Sequence, residues 1–239
     1  MKTLLILSTL FFSLGGLEAF DHSGGDSFLK KYVNESGMVN YAGLKTNRAG
    51  LDAYLQTTGA VSEPTFDSWG ADEQLAFLIN VYNAETLQFI IDNHPVVSIK
   101  KLGGIISTPW DKKNVTLFGG QVSLNHLEHK VIRPNYAEPR IHFALVCAAK
   151  GCPPLRSEAY TAGKLEAQLE NQAKVFLNQT AKNRLEENTL YLSTIFKWYG
   201  DDFKDGGRSV SEYVDPFIEG ATAGKSIEWT EYDWSLNEQ

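Results

Sequence analysis

Both cysteines of the chain, Cys147 and Cys152, lie in the stretch from Arg140 to Arg156, and His142 stands five residues ahead of the first. Cysteine attacks as the thiolate, so a nucleophilic cysteine needs a neighbour that takes its proton. His142 and His129 are the candidate bases, and Asn83 or Glu128 could orient the imidazole as the third group does in cysteine hydrolases. The run Ile141 to Cys147 is apolar and short enough for a buried strand, after which Gly151, Pro153 and Pro154 force an irregular loop. In a regular strand His142 and Cys147 would face opposite ways, because an odd separation flips the side chain. Cys152, on the loop, is free of that parity and could meet His142, His129 or Glu128. Backbone amides of Ala148 to Gly151 would then be the candidate oxyanion donors.

The same residues support a structural reading. Two cysteines five apart in an exported protein can close a disulfide, and a Cys147–Cys152 bridge would remove the nucleophile and stiffen the loop. On that reading Lys150 and Arg156 offer charge to an anionic group, and Asn80 and Asn83, three apart on one helix face, hydrogen-bond a neighbouring loop. His126 and His129 are three apart on a helix, yet a third ligand at matching spacing is missing, so no metal site is assigned. The aromatics Phe196, Trp198, Tyr199, Trp229, Tyr232 and Trp234 read as core, or as a stacking platform if part of the group is exposed.

These residues must be held by a mixed set of elements. Ala71 to Asn93 is the clearest helix, with Leu75, Leu78, Ile79, Tyr82, Leu87, Ile90 and Ile91 on a wide apolar face and His94-Pro95 as its stop. Short helices over Ser27 to Val33 and Gly50 to Leu55 flank a strand-like Gly37 to Ala42 and read as a small N-terminal lobe. Asn114 to Ser123 alternates about a Gly119-Gly120 turn and predicts a hairpin. Further helices are expected from Ser123 to Pro134, Thr161 to Leu177 and Val210 to Ile218. Strands are expected at Thr189 to Ile195 and over Ser226 to Asn237. With no linker and no repeat, the reading is one α+β domain, residues 20–239, in which a small β-sheet is packed by several helices.

Lys2, the apolar run Leu4 to Leu14 and Gly15 to Ala19 have the three regions of a secretory signal peptide, residues 1–19, with cleavage after Ala19 as the natural expectation and Ser23 as a neighbouring alternative. The apolar run is short of the roughly 20 residues a membrane span needs, so no membrane span is expected and the product reads as exported, periplasmic or extracellular. About 220 residues remain, enough for a core without disulfide staples. The net charge is −7 and no basic cluster is denser than Lys100-Lys101 or Lys112-Lys113, which argues against nucleic acid. No phosphate-cradling glycine loop, serine elbow or carboxylate-rich metal motif is present, so no cofactor is expected.

Four blocks, in order, resemble the DUF547 family, a domain of unknown function found in secreted bacterial and in plant proteins. They are Glu73-Gln-Leu-Ala-Phe-Leu-Ile-Asn80-Val-Tyr82-Asn83-Ala84, Leu124 to Arg133 with Glu128 and His129, Arg140 to Pro154 with both cysteines, and Leu192 to Tyr199 ahead of Tyr232 to Asn237. The resemblance spans nearly the whole mature chain and implies no activity. Where the family pattern has Cys-Gly-Ala, this chain has Cys147-Ala148-Ala149, a departure that matters if the glycine serves a positive φ. Two functions are compatible with these residues. One is a cysteine-dependent hydrolase or acyl-transfer enzyme acting on amide bonds. The other is a binding module with a disulfide-stiffened loop, whose ligand would be a peptide, cell-wall material or a small molecule.

Overall fold

The computed structural model describes residues 19–104 and 106–239. The expected leader, apart from Ala19, lies outside the described residues. Five helices come first: α1 (Ser23–Tyr32), α2 (Tyr41–Thr46), α3 (Ala49–Gly59), α4 (Glu63–Asp67) and α5 (Ala71–Asn93). At 23 residues α5 runs about 34 Å, and from Leu75 to Leu87 every residue is buried. A helix buried all round must satisfy whatever polar groups it carries. Asn80, Asn83, Glu85 and Thr86 are those groups, and they set the positions of the segments packed against α5.

The N-terminal helices do not form a lobe of their own. Phe28, Leu29, Tyr32, Leu44 and Leu51 share one core with Leu87, Ile90 and Ile91 of α5 and with Cys152 and Leu236. The strand expected over Gly37 to Ala42 shrinks to bridges from Val39 to Val33 and Glu238. Asn40 then caps α2, its Oδ1 accepting from Gly43 N at 2.7 Å, and a capping side chain of this kind favours helix over strand.

The hairpin is β1 (Val115–Leu117) and β2 (Gly120–Val122), antiparallel. Its turn residues are Phe118 (φ 51°) and Gly119 (φ 76°) rather than the Gly119-Gly120 pair. Two successive positive φ values match the twist of the flanking strands. The Ser123 hydroxyl accepts from His126 N and starts α6 (Leu124–His126), which passes into a π-helical turn (Leu127–Ile132) and α7 (Arg133–Asn135). The expected single helix is thus three segments, and Pro134 sits inside the last one.

The expected strand at Ile141 to Cys147 is instead α8 (Ile141–Ala144) followed by extended chain from Leu145. All of Ile141 to Val146 is buried, and a short buried apolar run carries no period to tell helix from strand. Beyond it come α9 (Leu165–Leu177), β3 (Arg184–Glu186), β4 (Thr189–Ser193), α10 (Ile195–Trp198), α11 (Val210–Val214) and β5 (Ser226–Thr230). β4 is central, antiparallel to β3 and parallel to β5. The last nine residues leave the sheet and cross to the cysteine loop, where Ala149 bridges Leu236. Helices around small sheets of two and three strands make an α+β fold. Among the described residues no helix is long and apolar enough to cross a membrane.

Candidate functional site

Asn83 is where α5 meets the cysteine loop. Its Nδ2 donates to Ala144 O at 2.9 Å and its Oδ1 accepts from Val146 N at 2.9 Å. One side chain thereby replaces a strand partner for the chain leading into Cys147. Asn80 does the same for Tyr160, donating to its carbonyl at 2.8 Å and accepting from its amide at 2.9 Å. Both amides bind backbone, Asn80 Nδ2 also lies 3.2 Å from His22 Nδ1, and Asn83 orients no histidine.

Cys147 and Cys152 are joined by a disulfide, with their Cα atoms 6.3 Å apart. Ala148, just after the first cysteine, takes φ 61°. That is the left-handed conformation glycine would adopt without strain. The loop is tied to the C-terminal segment: Lys150 N donates to Ser235 O, Gly151 N to Asp233 O and Asn237 N to Ala148 O. The amides of Lys150 and Gly151 are therefore not available as oxyanion donors. Gly151 is required by close approach, since a Cβ there would lie 2.7 Å from the Tyr232 ring. Tyr232 in turn places its hydroxyl 3.1 Å from Cys147 Sγ and donates to Cys152 Sγ at 3.0 Å. Burial pushes the Tyr232 pKa up, so the hydroxyl keeps its proton for that bond.

The bridge lies in the wall of a pocket of about 350 Å³, within the size range of small-molecule sites. Cys147, Cys152, His142, His129 and Glu128 all line it, together with Tyr82, Trp110, Trp198, Tyr199, Tyr232 and Trp234. Because α8 replaces the expected strand, the parity that separated His142 from Cys147 does not apply. Lys150 and Arg156 lie elsewhere: Lys150 is exposed, and the Arg156 guanidinium is held by Glu158 and Asn171.

The π turn presents Glu128 and His129 to the pocket. Glu128 is 7% exposed and accepts from the Tyr82 hydroxyl at 3.2 Å; Tyr199 faces the same carboxylate. Burial, then the Glu128 charge, drives the Tyr82 pKa up, so it remains a donor. A structural pairing of Glu128 with Arg140, the other role its sequence position allows, is not formed: Arg140 is held by Glu138, Glu166 and Glu170. His142 Nε2 lies 2.7 Å from Asp202 Oδ2, and Arg133 grips both Asp202 oxygens at 2.7 Å. The His142 hydrogen bond, then Arg133, holds the Asp202 carboxyl well below the usual range. A carboxylate only accepts, so Nε2 carries the proton and Nδ1 is left as the basic nitrogen. The His142 ring stacks on Tyr199 at 3.9 Å between centroids. Arg133 also reaches His129 Nδ1 at 2.9 Å.

Asp202 was not legible in the sequence. It follows Gly200 in a 3-10 turn with no motif around it, 60 residues from His142. Trp110 was equally silent, while Trp198, Tyr199, Tyr232 and Trp234 stood out as an aromatic group with two possible roles. Trp198, at 47% exposure, sits 4.9 Å from Tyr232 and 5.7 Å from Trp234, so part of that group faces the pocket rather than the core. Among the described residues no group of three His, Cys, Asp or Glu converges as a metal site.

Fold and site together define an α+β protein with an aromatic-walled pocket closed on one side by a disulfide loop. Residues 66–177 match the model of the family described as protein of unknown function, DUF547, which supports the resemblance read from the sequence. The match covers the α5, π-turn and cysteine blocks and ends before Trp198, Tyr199, Tyr232 and Trp234. No curated protein and no solved structure matches the chain.

Proposed function

We propose that the protein is a binding module whose pocket takes a small molecule or peptide end with a cationic head group. What supports this is the placement of Glu128, a buried carboxylate, on the wall of a pocket lined by three tryptophans and three tyrosines. Aromatic faces and a carboxylate attract an organic ammonium by the same electrostatics, worth about 0.5–2 kcal/mol per ring. The rings already take cations from within the chain: Lys100 Nζ lies 4.8 Å from the Trp234 centroid and the Arg133 guanidinium 5.1 Å from that of Tyr199. Arg133 does not fill the role of ligand, because both oxygens of Asp202 hold it.

The test is a tryptophan-fluorescence and calorimetric titration with choline against its neutral isostere, 3,3-dimethylbutan-1-ol. The expected result is saturable choline binding at least ten-fold tighter than the isostere, with the difference lost in Glu128→Gln. Equal affinities, or no binding of choline, would overturn the reading.

A second reading is favoured by the His142–Asp202 pair, a base with its orienting carboxylate, because His142 lines the same pocket as both sulfurs. Once a thiol reductant opens the bridge, the more exposed Cys147 could attack an amide carbonyl with His142 Nδ1 taking the thiol proton and returning it to the leaving amine. Reduced protein treated with a chloroacetamide should then be alkylated at Cys147 at least ten-fold faster than in His142→Ala. Equal rates would end this alternative.

A further inference from the structure

Glu73, in the first turn of α5, is 8% exposed, and its one hydrogen bond among the described residues comes from the backbone N of Phe20 at 2.8 Å. It joins none of the ion pairs formed among those residues. A buried carboxylate with one amide donor is poorly compensated, even with the helix N-terminus offsetting part of its charge. The donor is fixed in place by its own ring: Phe20 packs 5.1 Å from Phe77 and 4.8 Å from His22, centroid to centroid. Ala19, immediately before it, is exposed, and the depression around the pair is lined by Asp21, Asp26 and Glu158 as well as Glu73. Asp26 and Glu158 are paired with Lys30 and Arg156, and Lys164 lines the same depression, so Glu73 is the carboxylate in contact with the Phe20 nitrogen, which follows a small residue at the end of a leader-like segment.

We propose that the Ala19–Phe20 bond is hydrolysed by a leader-removing endopeptidase, and that the α-ammonium created on Phe20 seats on Glu73 as a largely buried ion pair. Water supplies the atoms: the C–N bond breaks, Ala19 leaves with a new carboxylate, and the Phe20 nitrogen gains protons to become –NH₃⁺. The cut exchanges one neutral amide donor for a cation with three donors at the point where the buried Glu73 side chain has a single hydrogen-bond donor among the described residues. The mature terminus would be part of the fold rather than a frayed end, since its ring and its charge are both docked. The proposal extends the export reading and stands apart from the pocket, because Glu73 and Phe20 do not line it.

The test begins with the full chain produced in a secreting host and the exported product measured by intact mass. A start at Phe20 is the expected result, and a start at any other residue overturns the proposal. Glu73→Gln is then compared in two exported chains, one beginning at Phe20 and one retaining Ala19. The substitution should lower Tm several degrees more in the first than in the second, and equal losses would refute the ion pair. Should the variant fail to fold, the wild-type amine can be read directly by acylation at neutral pH. It should react at least ten-fold more slowly in the native than in the denatured protein, and similar rates would refute the docking.

Discussion

His142 Nε2 lies 2.7 Å from Asp202 Oδ2, and this contact between residues 60 apart in sequence joins the buried α8 turn to the 3-10 turn that follows α10. Because the folded state holds the Asp202 pKa below its unfolded value, the carboxylate stabilises the fold above about pH 4, the unfolded value, and that contribution is lost as pH falls further toward the folded one. Asp202→Asn should therefore be less stable than wild type at pH 7, and the gap should narrow below pH 4. Urea melts across that range decide it; a gap independent of pH would mean the pair carries no charge-dependent stability.

Gly151→Ala should disturb the pocket without removing any polar group. The new methyl would meet the Tyr232 ring at 2.7 Å, so the ring must shift and its hydroxyl must leave the two sulfurs. Lower Tm and altered tryptophan emission are expected together, because the Tyr232 ring packs tilted against Trp234 with centroids 4.5 Å apart. Unchanged emission would show that the ring and the loop are not coupled.

Ala148→Gly has the opposite expected sign. A non-glycine residue in the left-handed region costs about 1–2 kcal/mol, more than the extra backbone entropy glycine loses on folding. The substitution should raise stability by up to about 1 kcal/mol in urea melts, and a decrease would mean that the packing of the buried Ala148 methyl outweighs the relief of the left-handed backbone.

How far the sequence carried depended on period and distance. The α5 helix was legible because 23 residues give the 3.6 period room to show, and the β1–β2 hairpin because its glycines mark the turn. Ile141 to Val146 was not: buried on all sides, it has no polar face to reveal its period, and its helical turn reverses the expected relation of His142 to Cys147. Ala148 does take a positive φ, the conformation the sequence raised as a condition at that position. Asp202 and Trp110 were out of reach because nothing local ties either to the cysteine loop.

Asn83→Ala should be among the most damaging single changes outside the pocket. It would leave the Val146 N–H and the Ala144 C=O without partners in a buried setting, at about 1–3 kcal/mol each. A loss of about 2–4 kcal/mol in urea melts is expected, with hydrogen exchange quickened at Val146. A loss below 1 kcal/mol would mean water replaces the amide.

Lys182 gives the fold a second pH signature, of opposite origin to that of Asp202. Its Nζ donates to Cys152 O at 2.6 Å from a largely desolvated position, and burial lowers its pKa to about 8. Between pH 8 and the unfolded value near 10.4 the unfolded chain binds more protons at this site than the folded one, so stability attributable to Lys182 rises with pH across that window. Lys182→Met should remove the rise, and comparing the two proteins by chemical denaturation at pH 7.5 and 9.5 isolates it from other titrations. The Cys152 carbonyl loses its donor in the variant, which lowers stability at both pH values alike, so only the pH-dependent difference bears on the ammonium. If wild type and variant change in parallel between the two pH values, Lys182 is solvated well enough to keep its charge, and the loop carrying the disulfide is more open to water than its packing implies.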